Sequence, residues 1–225
     1  MKLTYHGHSV ISVVLEDGTK LLFDPFITGN PVTDLKADEV RTDYILVTHG
    51  HSDHVGDMIP IAKNNQATII SIVEICQFAE KQQVEKTHGM NIGGGFDFPF
   101  GRVTFTHAQH SSGYQQDGEI IYMGEPAGIL LEAEGKVIYH AGDTADFSDL
   151  ALLGENYEID VAFLPIGDNF TMGPKAAVRA AKRLKAKQVV PIHYNTFKLI
   201  RQDPTLFTEN VTGGKIMAVG ETIEV

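Results

Sequence analysis

A short segment rich in histidine and aspartate, residues 48–54, directly follows an apolar stretch at residues 44–47. An apolar stretch of this length predicts a buried strand. Neutral imidazoles and ionised carboxylates are favoured ligands of borderline divalent ions such as zinc. Alternate residues of an extended chain point the same way, so His49 and His51 can hold one ion. A helix beginning at about Asp53 would turn the rest of the segment toward a second ion. The segment therefore predicts half of a two-metal site.

Length, composition and charge limit the class of protein. A chain of 225 residues with 43% hydrophobic content can form one substantial core, so we expect a single domain over residues 1–225. The formal net charge of -11 argues against binding to nucleic acids or to an anionic membrane surface. We therefore expect a small-molecule substrate, and the sequence leaves open whether the protein forms a homo-oligomer.

The chain has a single cysteine, Cys76, which excludes an internal disulfide and is typical of a reducing compartment. Its neighbours follow a helical pattern, which favours a buried structural role for the thiol. No charged start followed by an apolar run is present, and no apolar run approaches membrane-spanning length. We therefore expect a cytoplasmic protein.

Hydrophobic periodicity and turn signals predict strands and helices along the whole chain. Asp17-Gly18 and Glu134-Gly135 are hairpin turn signals, and the glycine-rich residues 88–95 are predicted to form a loop. Helices are predicted over 53–63, 73–84, 174–185 and 204–209. The predicted inward faces of the first three are, in order, Val55, Ile59 and Ala62; Val73, Cys76, Ala79 and Gln83; and Ala177, Ala181 and Leu184. Strands are predicted over 2–5, 10–15, 20–23, 44–47, 67–72, 102–106, 127–132, 136–140, 161–165, 188–192, 215–219 and 222–225. This order predicts an α/β (α+β) fold in which helices cover two sheets from outside.

Further candidate ligands lie just beyond the ends of other predicted strands. Loops at one end of a sheet converge in space, so we expect these residues to meet the histidine-rich segment. Five imidazoles and two carboxylates would suit two ions that share one carboxylate, with a water or hydroxide between them. The predicted metal ligands are His49, His51, Asp53, His54, His110, Asp143 and His193.

This pattern resembles the metallo-β-lactamase superfamily. The resemblance rests on His49-x-His51-x-Asp53-His54 followed by His110, Gly142-Asp143 and His193 in that order. More narrowly, the chain resembles the branch of metal-dependent hydrolases related to L-ascorbate-6-phosphate lactonase, on the motifs Gly7-His8-Ser9, Asp24-Pro25-Phe26, His110-Ser111-Ser112, residues 167–172 and residues 191–197.

The resemblance implies a four-layer αββα sandwich and a role for each ligand. His49, His51 and His110 would hold the first ion, and Asp53, His54 and His193 the second, with Asp143 between the two ions. A hydroxide bridging the ions would be the nucleophile, because two divalent ions lower the pKa of bound water. Asp53 would be catalytic, orienting the hydroxide and carrying a proton to the leaving group.

Other site residues are less strongly indicated. His107 is an alternative to His110, although the His-Ser-Ser context favours His110. His8, Asp24, Asn169, Tyr194 and Asn195 are candidates for supporting the ligands or contacting substrate, with a turn as the alternative role for His8 and Asp24. His88 is a further candidate in a loop, Lys198 and Arg201 could attract an anion or remain solvated, and His6 and His140 are expected to be structural.

These features favour a metal-dependent hydrolase. Two divalent ions, two carboxylates and one hydroxide leave a formal site charge of about +1, which favours a small anionic ester, lactone or phosphodiester. Zinc is the expected metal, with manganese, nickel or iron as alternatives. A metal-bound interaction or sensor protein without turnover is the alternative function. A di-iron redox protein on the same fold is disfavoured by His51, where a glutamate would be expected.

Overall fold

The computed structural model describes residues 1–225 and contains fifteen strands and six α-helices. The strands are β1 (Lys2–Tyr5), β2 (Ile11–Val14), β3 (Lys20–Phe23), β4 (Tyr44–Leu46), β5 (Thr68–Ile72), β6 (Thr87–Met90), β7 (Gly95–Phe98), β8 (Gly101–His107), β9 (Gly113–Gln116), β10 (Glu119–Tyr122), β11 (Ala127–Ala133), β12 (Lys136–His140), β13 (Val161–Pro165), β14 (Gln188–Ile192) and β15 (Thr222–Glu224). The helices are α1 (Ser52–Val55), α2 (Met58–Asn65), α3 (Val73–Lys81), α4 (Leu150–Asn156), α5 (Pro174–Leu184) and α6 (Thr205–Thr208), and a short 3-10 helix covers Lys198–Ile200.

Two sheets account for thirteen of these strands. The N-terminal sheet has the order β15-β1-β2-β3-β4-β5-β6, and β3 to β6 run parallel to one another. The C-terminal sheet has the order β14-β13-β12-β11-β8-β7, and β12, β13 and β14 are parallel. Strands β9 and β10 form a separate two-stranded hairpin. Each sheet therefore has a parallel part whose strands all end at the same edge.

Three apolar clusters separate four layers of secondary structure. The central cluster joins the inner faces of the two sheets and includes Val13 and Phe163. A second cluster packs α2 and α3 against the outer face of the N-terminal sheet, where Ile61 is fully buried. The third packs α4, α5 and α6 against the C-terminal sheet, and includes Ala162 and Leu184. Ala162 and Phe163 face opposite layers because side chains alternate along a strand. The predicted four-layer αββα sandwich is confirmed.

Several predicted elements are confirmed. The turn signals at Asp17-Gly18 and Glu134-Gly135 each lie between antiparallel strands, β2 with β3 and β11 with β12. Pro174 opens α5, and the predicted inward face of that helix is buried. Cys76 is buried, as expected.

No helix in the structure combines the length and apolar character needed to span a bilayer.

The predicted helix over 53–63 is wrong in its continuity. The chain forms the single turn α1, leaves the helix at Gly56 and starts again with α2. Gly56 has a φ of 43°, and a side chain there would press against the backbone of Pro25. Asp57 then accepts hydrogen bonds from the backbone N–H groups of Ile27 and Thr28 at 3.1 and 2.7 Å. The close approach of the loop that contains Pro25, Ile27 and Thr28 breaks the helix. Met58 and Ile61 are then buried side chains of α2.

Other boundaries also differ from prediction. Helix α3 ends at Lys81, and Val73 and Gln83 of the predicted inward face are exposed, while Ile75 is buried instead. The glycine-rich residues 88–95 are not one loop, because they include parts of β6 and β7. Residues 215–219 do not form a strand; Gly214 makes only an isolated bridge to Val189. The hairpin β9–β10 and helix α4 were not predicted.

Candidate metal centre

Six of the seven predicted ligands lie beyond the ends of parallel strands from both sheets, and His110 follows the antiparallel strand β8. The histidine-rich segment follows β4, Asp143 follows β12 and His193 follows β14. Hydrogen bonds join these loops across the sheets: the backbone N–H of His193 donates to the carbonyl of His8 at 2.8 Å, and that of Ala127 donates to the carbonyl of Thr48 at 3.0 Å. The parallel strands therefore deliver side chains that are distant in sequence to one edge of the sandwich.

Four side chains form what we call the first ligand group: His49, His51, His110 and Asp143. One potential ligand atom from each lies within 4.8 Å of the others. The Nδ1 atom of His51 is 3.0 Å from Nε2 of His49 and 3.2 Å from Nε2 of His110. Three ring nitrogens therefore converge on one point, which is the arrangement that a metal ion requires.

Four more side chains form the second ligand group: His8, Asp53, His54 and His193. Their potential ligand atoms also lie within 4.8 Å of one another. The single turn α1 directs Asp53 and His54 into this group, because it turns the chain away from the extended direction of His49 and His51. Oδ2 of Asp53 is 3.1 Å from Nε2 of His8 and 3.5 Å from Nε2 of His193.

Asp143, a member of the first group, also contacts the second group. Its Oδ1 is 3.3 Å from Nε2 of His54, and its Oδ2 is 3.1 Å from Nε2 of His193. The same Oδ2 is 3.4 Å from Nε2 of His110 and 3.9 Å from Nε2 of His49. One carboxylate thus contacts histidines of both groups, as a ligand shared by two ions would.

The arrangement fits metal ions because it leaves buried polar atoms without protein partners. Nε2 of His54, both ring nitrogens of His193 and Oδ1 of Asp143 are buried and make no hydrogen bond. Buried polar atoms are normally paired, and unpaired atoms cost free energy. Ligation of metal ions would satisfy the Nε2 atoms and the carboxylate oxygen, which face one another within the two groups.

Asp24 orients two of the predicted ligands through hydrogen bonds. Its buried carboxylate accepts hydrogen bonds from the backbone N–H and the hydroxyl of Thr48 at 2.8 and 2.7 Å. Nδ1 of His54 lies 2.8 Å from Oδ2 of Asp24, so this nitrogen carries the proton and Nε2 is left to face the site. The Thr48 hydroxyl also lies 3.0 Å from Nδ1 of His49. Asp24 therefore orients one histidine directly and a second one through Thr48.

His8 belongs to the second ligand group although it comes from the N-terminal hairpin. The side chain is fully buried, with Nδ1 2.9 Å from the hydroxyl of Thr196 and Nε2 facing Asp53. His8, Asp24 and His193 all have a positive φ, at 57°, 43° and 53°. Residues other than glycine adopt this conformation at a cost, and such residues concentrate at functional sites.

The two groups differ in the protonation that their surroundings favour. Burial lowers the pKa of His49 well below its usual value, and burial also lowers the pKa of His51 and His110. Burial would lower the pKa of His193 as well, but Asp143 and Asp53 raise the pKa of His193 to about 9. Asp143 and Asp24 likewise outweigh burial and raise the pKa of His54.

The surroundings favour a neutral His8 and ionised carboxylates at Asp53 and Asp143. Burial and the neighbouring His193 lower the pKa of His8 to about 4, so His8 is neutral at pH 7. Burial opposes ionisation of Asp53 and Asp143, but the histidines around each carboxyl lower its pKa below the usual range. Both carboxylates are therefore ionised, as metal ligation requires.

The two groups lie at the inner end of an open cavity of about 1310 Å³. Asp53, Asp143 and His193 reach the cavity from the ligand groups, and Asn169 lines it from the loop after β13. Five of its eighteen lining residues are apolar: Phe26, Ile120, Phe170, Phe197 and Leu199. A small organic molecule can therefore reach the ligand groups from solvent.

Some predicted candidates do not lie at this cavity. His107 faces Phe147 and is exposed, whereas His110 lies in the first ligand group. Tyr194 packs in the apolar cluster under α5, and the side-chain oxygen of Asn195 accepts a hydrogen bond from the backbone N–H of Gln202. Neither lines the cavity, so their predicted contact with substrate or ligands is not what the structure shows.

The other candidates also have local partners. His88 lies in β6 against Phe96 and Phe98. Lys198 and Arg201 do not line the cavity. His6 is held between Asp34 and Ser12, and His140 lies 2.9 Å from the carbonyl of Ser9. These two histidines have the structural role that the sequence suggested.

Sequence reasoning missed three supporting hydroxyl groups. Thr48 links Asp24 to His49, Thr196 contacts His8, and the Ser111 hydroxyl lies 3.2 Å from Nε2 of His51. Each is a neighbour, within three positions, of a predicted ligand, which is a weak signal in sequence. The contact between His8 and Thr196 spans 188 residues, so no local pattern could have shown it.

Comparison with known proteins shows which family this chain belongs to. The β-lactamase superfamily domain model matches residues 19–194. The UPF0173 metal-dependent hydrolase of Enterococcus faecalis is 58% identical over 223 residues and covers 99% of both chains. That of Anoxybacillus flavithermus is also 58% identical, over 226 residues and the full length of both chains.

A solved structure agrees with the sequence relatives. Igni18, a metallo hydrolase from the hyperthermophilic archaeon Ignicoccus hospitalis, is 37% identical and superposes with a TM-score of 0.88, over 99% of this chain and 97% of that one. Family match, sequence identity and fold point the same way. The chain therefore belongs to the metallo-β-lactamase superfamily and, within it, to the UPF0173 metal-dependent hydrolases.

Proposed function

We propose that this protein is a dinuclear metal-dependent hydrolase acting on a small ester, lactone or phosphodiester. The observation that carries the proposal is the pair of four-membered ligand groups with Asp143 in contact with both. His49, His51 and His110 would hold one ion, and Asp53, His54 and His193 the other. When bound, the ions would supply Lewis-acid polarisation and a hydroxide nucleophile near neutral pH. Zinc suits this set of imidazole and carboxylate ligands best.

The protein's own side chains would position the substrate and move the proton. Asp53 is the ligand-group carboxylate with the greater access to the cavity, since its side chain is 26% exposed against 2% for Asp143. This access supports the proposed role of Asp53, which would orient the attacking group and pass a proton to the leaving group. His8 and His193 hold Asp53 from the protein side. Asn169 lines the cavity and can donate an amide hydrogen bond to a carbonyl or phosphoryl oxygen.

The formal charge of the loaded centre favours negative charge that develops at the reacting bond. Two divalent ions, the carboxylates of Asp53 and Asp143 and one hydroxide sum to about +1. The tetrahedral or pentacoordinate oxyanion of hydrolysis would be stabilised by this charge. An ester or lactone carbonyl, or a phosphodiester, meets that requirement.

Metal content tests the proposal most directly. Elemental mass spectrometry on protein purified without a metal-affinity tag should find about two ions per chain, the number a dinuclear centre requires. Asp143→Ala should lose most of both ions and abolish metal-dependent cleavage of p-nitrophenyl acetate and of bis(p-nitrophenyl) phosphate. The loss should exceed the roughly 10–100-fold effect of removing a supporting partner.

His107→Ala is the matched control, because it removes a nearby imidazole that lies outside both ligand groups. It should keep the full metal content and activity. One ion or none in the unaltered protein, or unchanged metal content in Asp143→Ala, would contradict the dinuclear proposal.

A further inference from the structure

Five of the eighteen residues that line the cavity are apolar, and these five, which we call the wall, come from separate parts of the chain. Ile120 lies on the hairpin β9–β10, Phe170 on the loop after β13, and Leu199 in the 3-10 helix after β14. Phe26 and Phe197 complete the wall beside His8, with ring centroids 6.1 Å apart. Segments that are far apart in sequence thus place large apolar side chains around one opening.

These side chains are unusually exposed for their size. Ile120, Phe170, Phe197 and Leu199 are 74%, 52%, 37% and 64% exposed. Twelve large apolar residues of the chain are exposed, and four of them line this cavity. Clustered exposed apolar side chains mark binding surfaces, because their contact with water is unfavourable until a ligand covers them.

The cavity also lacks positively charged side chains of lysine and arginine. No lysine or arginine is among its lining residues, although the chain has 18. The ionisable side chains that line it are the ligand-group residues His51, His110, Asp53, Asp143 and His193, together with Asp57. A second anionic group on the substrate, away from the reacting bond, would therefore meet apolar side chains, neutral polar side chains or the Asp57 carboxylate, and no lysine or arginine.

We infer that the substrate carries an apolar chain or ring beside the bond to be hydrolysed, and no second anionic group. The inference rests on the proposed function, because it takes the ligand groups as the position of the reacting bond. It deepens that proposal by naming the substrate class: an ester or lactone with a hydrophobic substituent. The inner end of the cavity stabilises charge at the reacting bond, and the wall covers the hydrophobic part.

Alkyl hydroxamates test the inference without knowledge of the substrate, since the hydroxamate group binds metal and the alkyl chain would contact the wall. The affinity of zinc-loaded protein for acetohydroxamate, butyrohydroxamate and octanohydroxamate is measured by titration calorimetry. The zinc content of the recovered protein is then determined, so that extraction of metal is not mistaken for binding. We expect affinity to rise with chain length, by up to about fourfold for each methylene that becomes fully buried.

A charged chain end supplies the second comparison. Suberic acid monohydroxamate has the same number of carbons as octanohydroxamate but ends in a carboxylate. We expect it to bind at least about tenfold more weakly, because the carboxylate loses water without gaining a cationic partner.

Substitutions in the wall assign the effect to this cavity. Leu199→Ser and Phe170→Ser should each reduce the gain from acetohydroxamate to octanohydroxamate several-fold and leave acetohydroxamate binding unchanged. Leu152→Ser is the matched control, because Leu152 is 52% exposed on α4 and does not line the cavity. It should keep the full dependence on chain length.

The outcomes separate the two proposals. If no hydroxamate binds the zinc-loaded protein, the metal centre of the proposed function is wrong. If all hydroxamates bind with equal affinity, or if suberic acid monohydroxamate equals octanohydroxamate, the metal centre stands and the apolar substrate class is overturned. An unchanged chain-length dependence in both Leu199→Ser and Phe170→Ser would also overturn it.

Discussion

The second ligand group is more deeply buried than the first and has more support from the surrounding protein. His8, His54 and His193 are buried, whereas His51 and His110 of the first group are only partly covered. His54 is held by the buried carboxylate of Asp24, and His8 by Thr196. In the first group, Nε2 of the half-buried His51 has only the exposed hydroxyl of Ser111.

The two groups also differ in the protons they hold before an ion binds. The histidines of the first group have lowered pKa values and are neutral near pH 7, ready to ligate. In the second group the carboxylates keep His54 and His193 protonated. A metal ion must displace these protons, so binding at the second group is coupled to their release. From this difference we expect an ion to bind the first group readily near pH 7, and an ion to bind the second group in a pH-dependent way.

The largest effect on this comparison is expected from Asp24→Asn. Asparagine tolerates the positive φ at this position, so the backbone is preserved while the charge that orients His54 is removed. The affinity for the ion at the second group should fall by roughly 10–100-fold. The effect on the first group should be smaller, because Asp24 reaches His49 only through Thr48.

Competition with a zinc chelator measures the two affinities separately if they are well resolved. Asp38→Asn, which changes an exposed carboxylate of the same chain, is the control and should have no effect. An equal loss at both groups after Asp24→Asn would remove the distinction between them.

The second prediction concerns pH. His193 has a pKa raised to about 9, above its ordinary value near 6.5, so it holds a proton throughout the interval between these two values. Metal binding at the second group must release that proton, so its affinity should increase with pH across this interval, by about tenfold per pH unit for each proton released. The first group, whose histidines have lowered pKa values, should show no such slope.

Zinc titrations at several pH values from neutral to about 9, corrected for hydrolysis of the free ion and for the buffer, measure both slopes. A flat profile for both ions would show that His193 is already neutral when the protein is free of metal. A slope at both would show that proton release is not confined to the second group.

The smallest effect is expected from Ser111→Ala. The Ser111 hydroxyl is exposed and lies 3.2 Å from Nε2 of His51, so its hydrogen bond competes with water and contributes little. Affinity at the first group should change by no more than a few-fold, and the second group should be unaffected. Isothermal titration with zinc tests this, and a loss as large as that of Asp24→Asn would show that the first group is equally dependent on its support.

Much of the centre could be predicted because its chemistry is concentrated in short segments. Residues 48–54 supply four of the seven predicted ligands, and the other three each follow a predicted strand. Most strands could be predicted because apolar runs and turn signals mark them, and the four-layer arrangement was implied by the resemblance to the metallo-β-lactamase superfamily. The break between α1 and α2 could not, since the cause is the backbone of Pro25 lying against Gly56, a contact absent from the helical periodicity of the segment.

The supporting residues depended on contacts across the whole chain. His8 and Asp24 were weak candidates by sequence, yet His8 lies in the second ligand group and Asp24 contacts both His54 and Thr48. Tyr194 and Asn195 were equally plausible candidates by sequence, but they face the core and the following loop. Sequence neighbours of a ligand can point in different directions, because the local backbone and packing set the direction of each side chain.

The sequence by itself determined the kinds of ligand, their order and the strands that carry them, because ligand chemistry and strand periodicity are properties of short segments. Only the tertiary structure decided that His110 rather than His107 joins the first group, that His8 joins the second, and that apolar residues from four distant segments line one cavity. These features arise where the ends of parallel strands from two sheets meet. The residues involved are brought together by packing of the whole chain, and their separation in sequence carries no local signal.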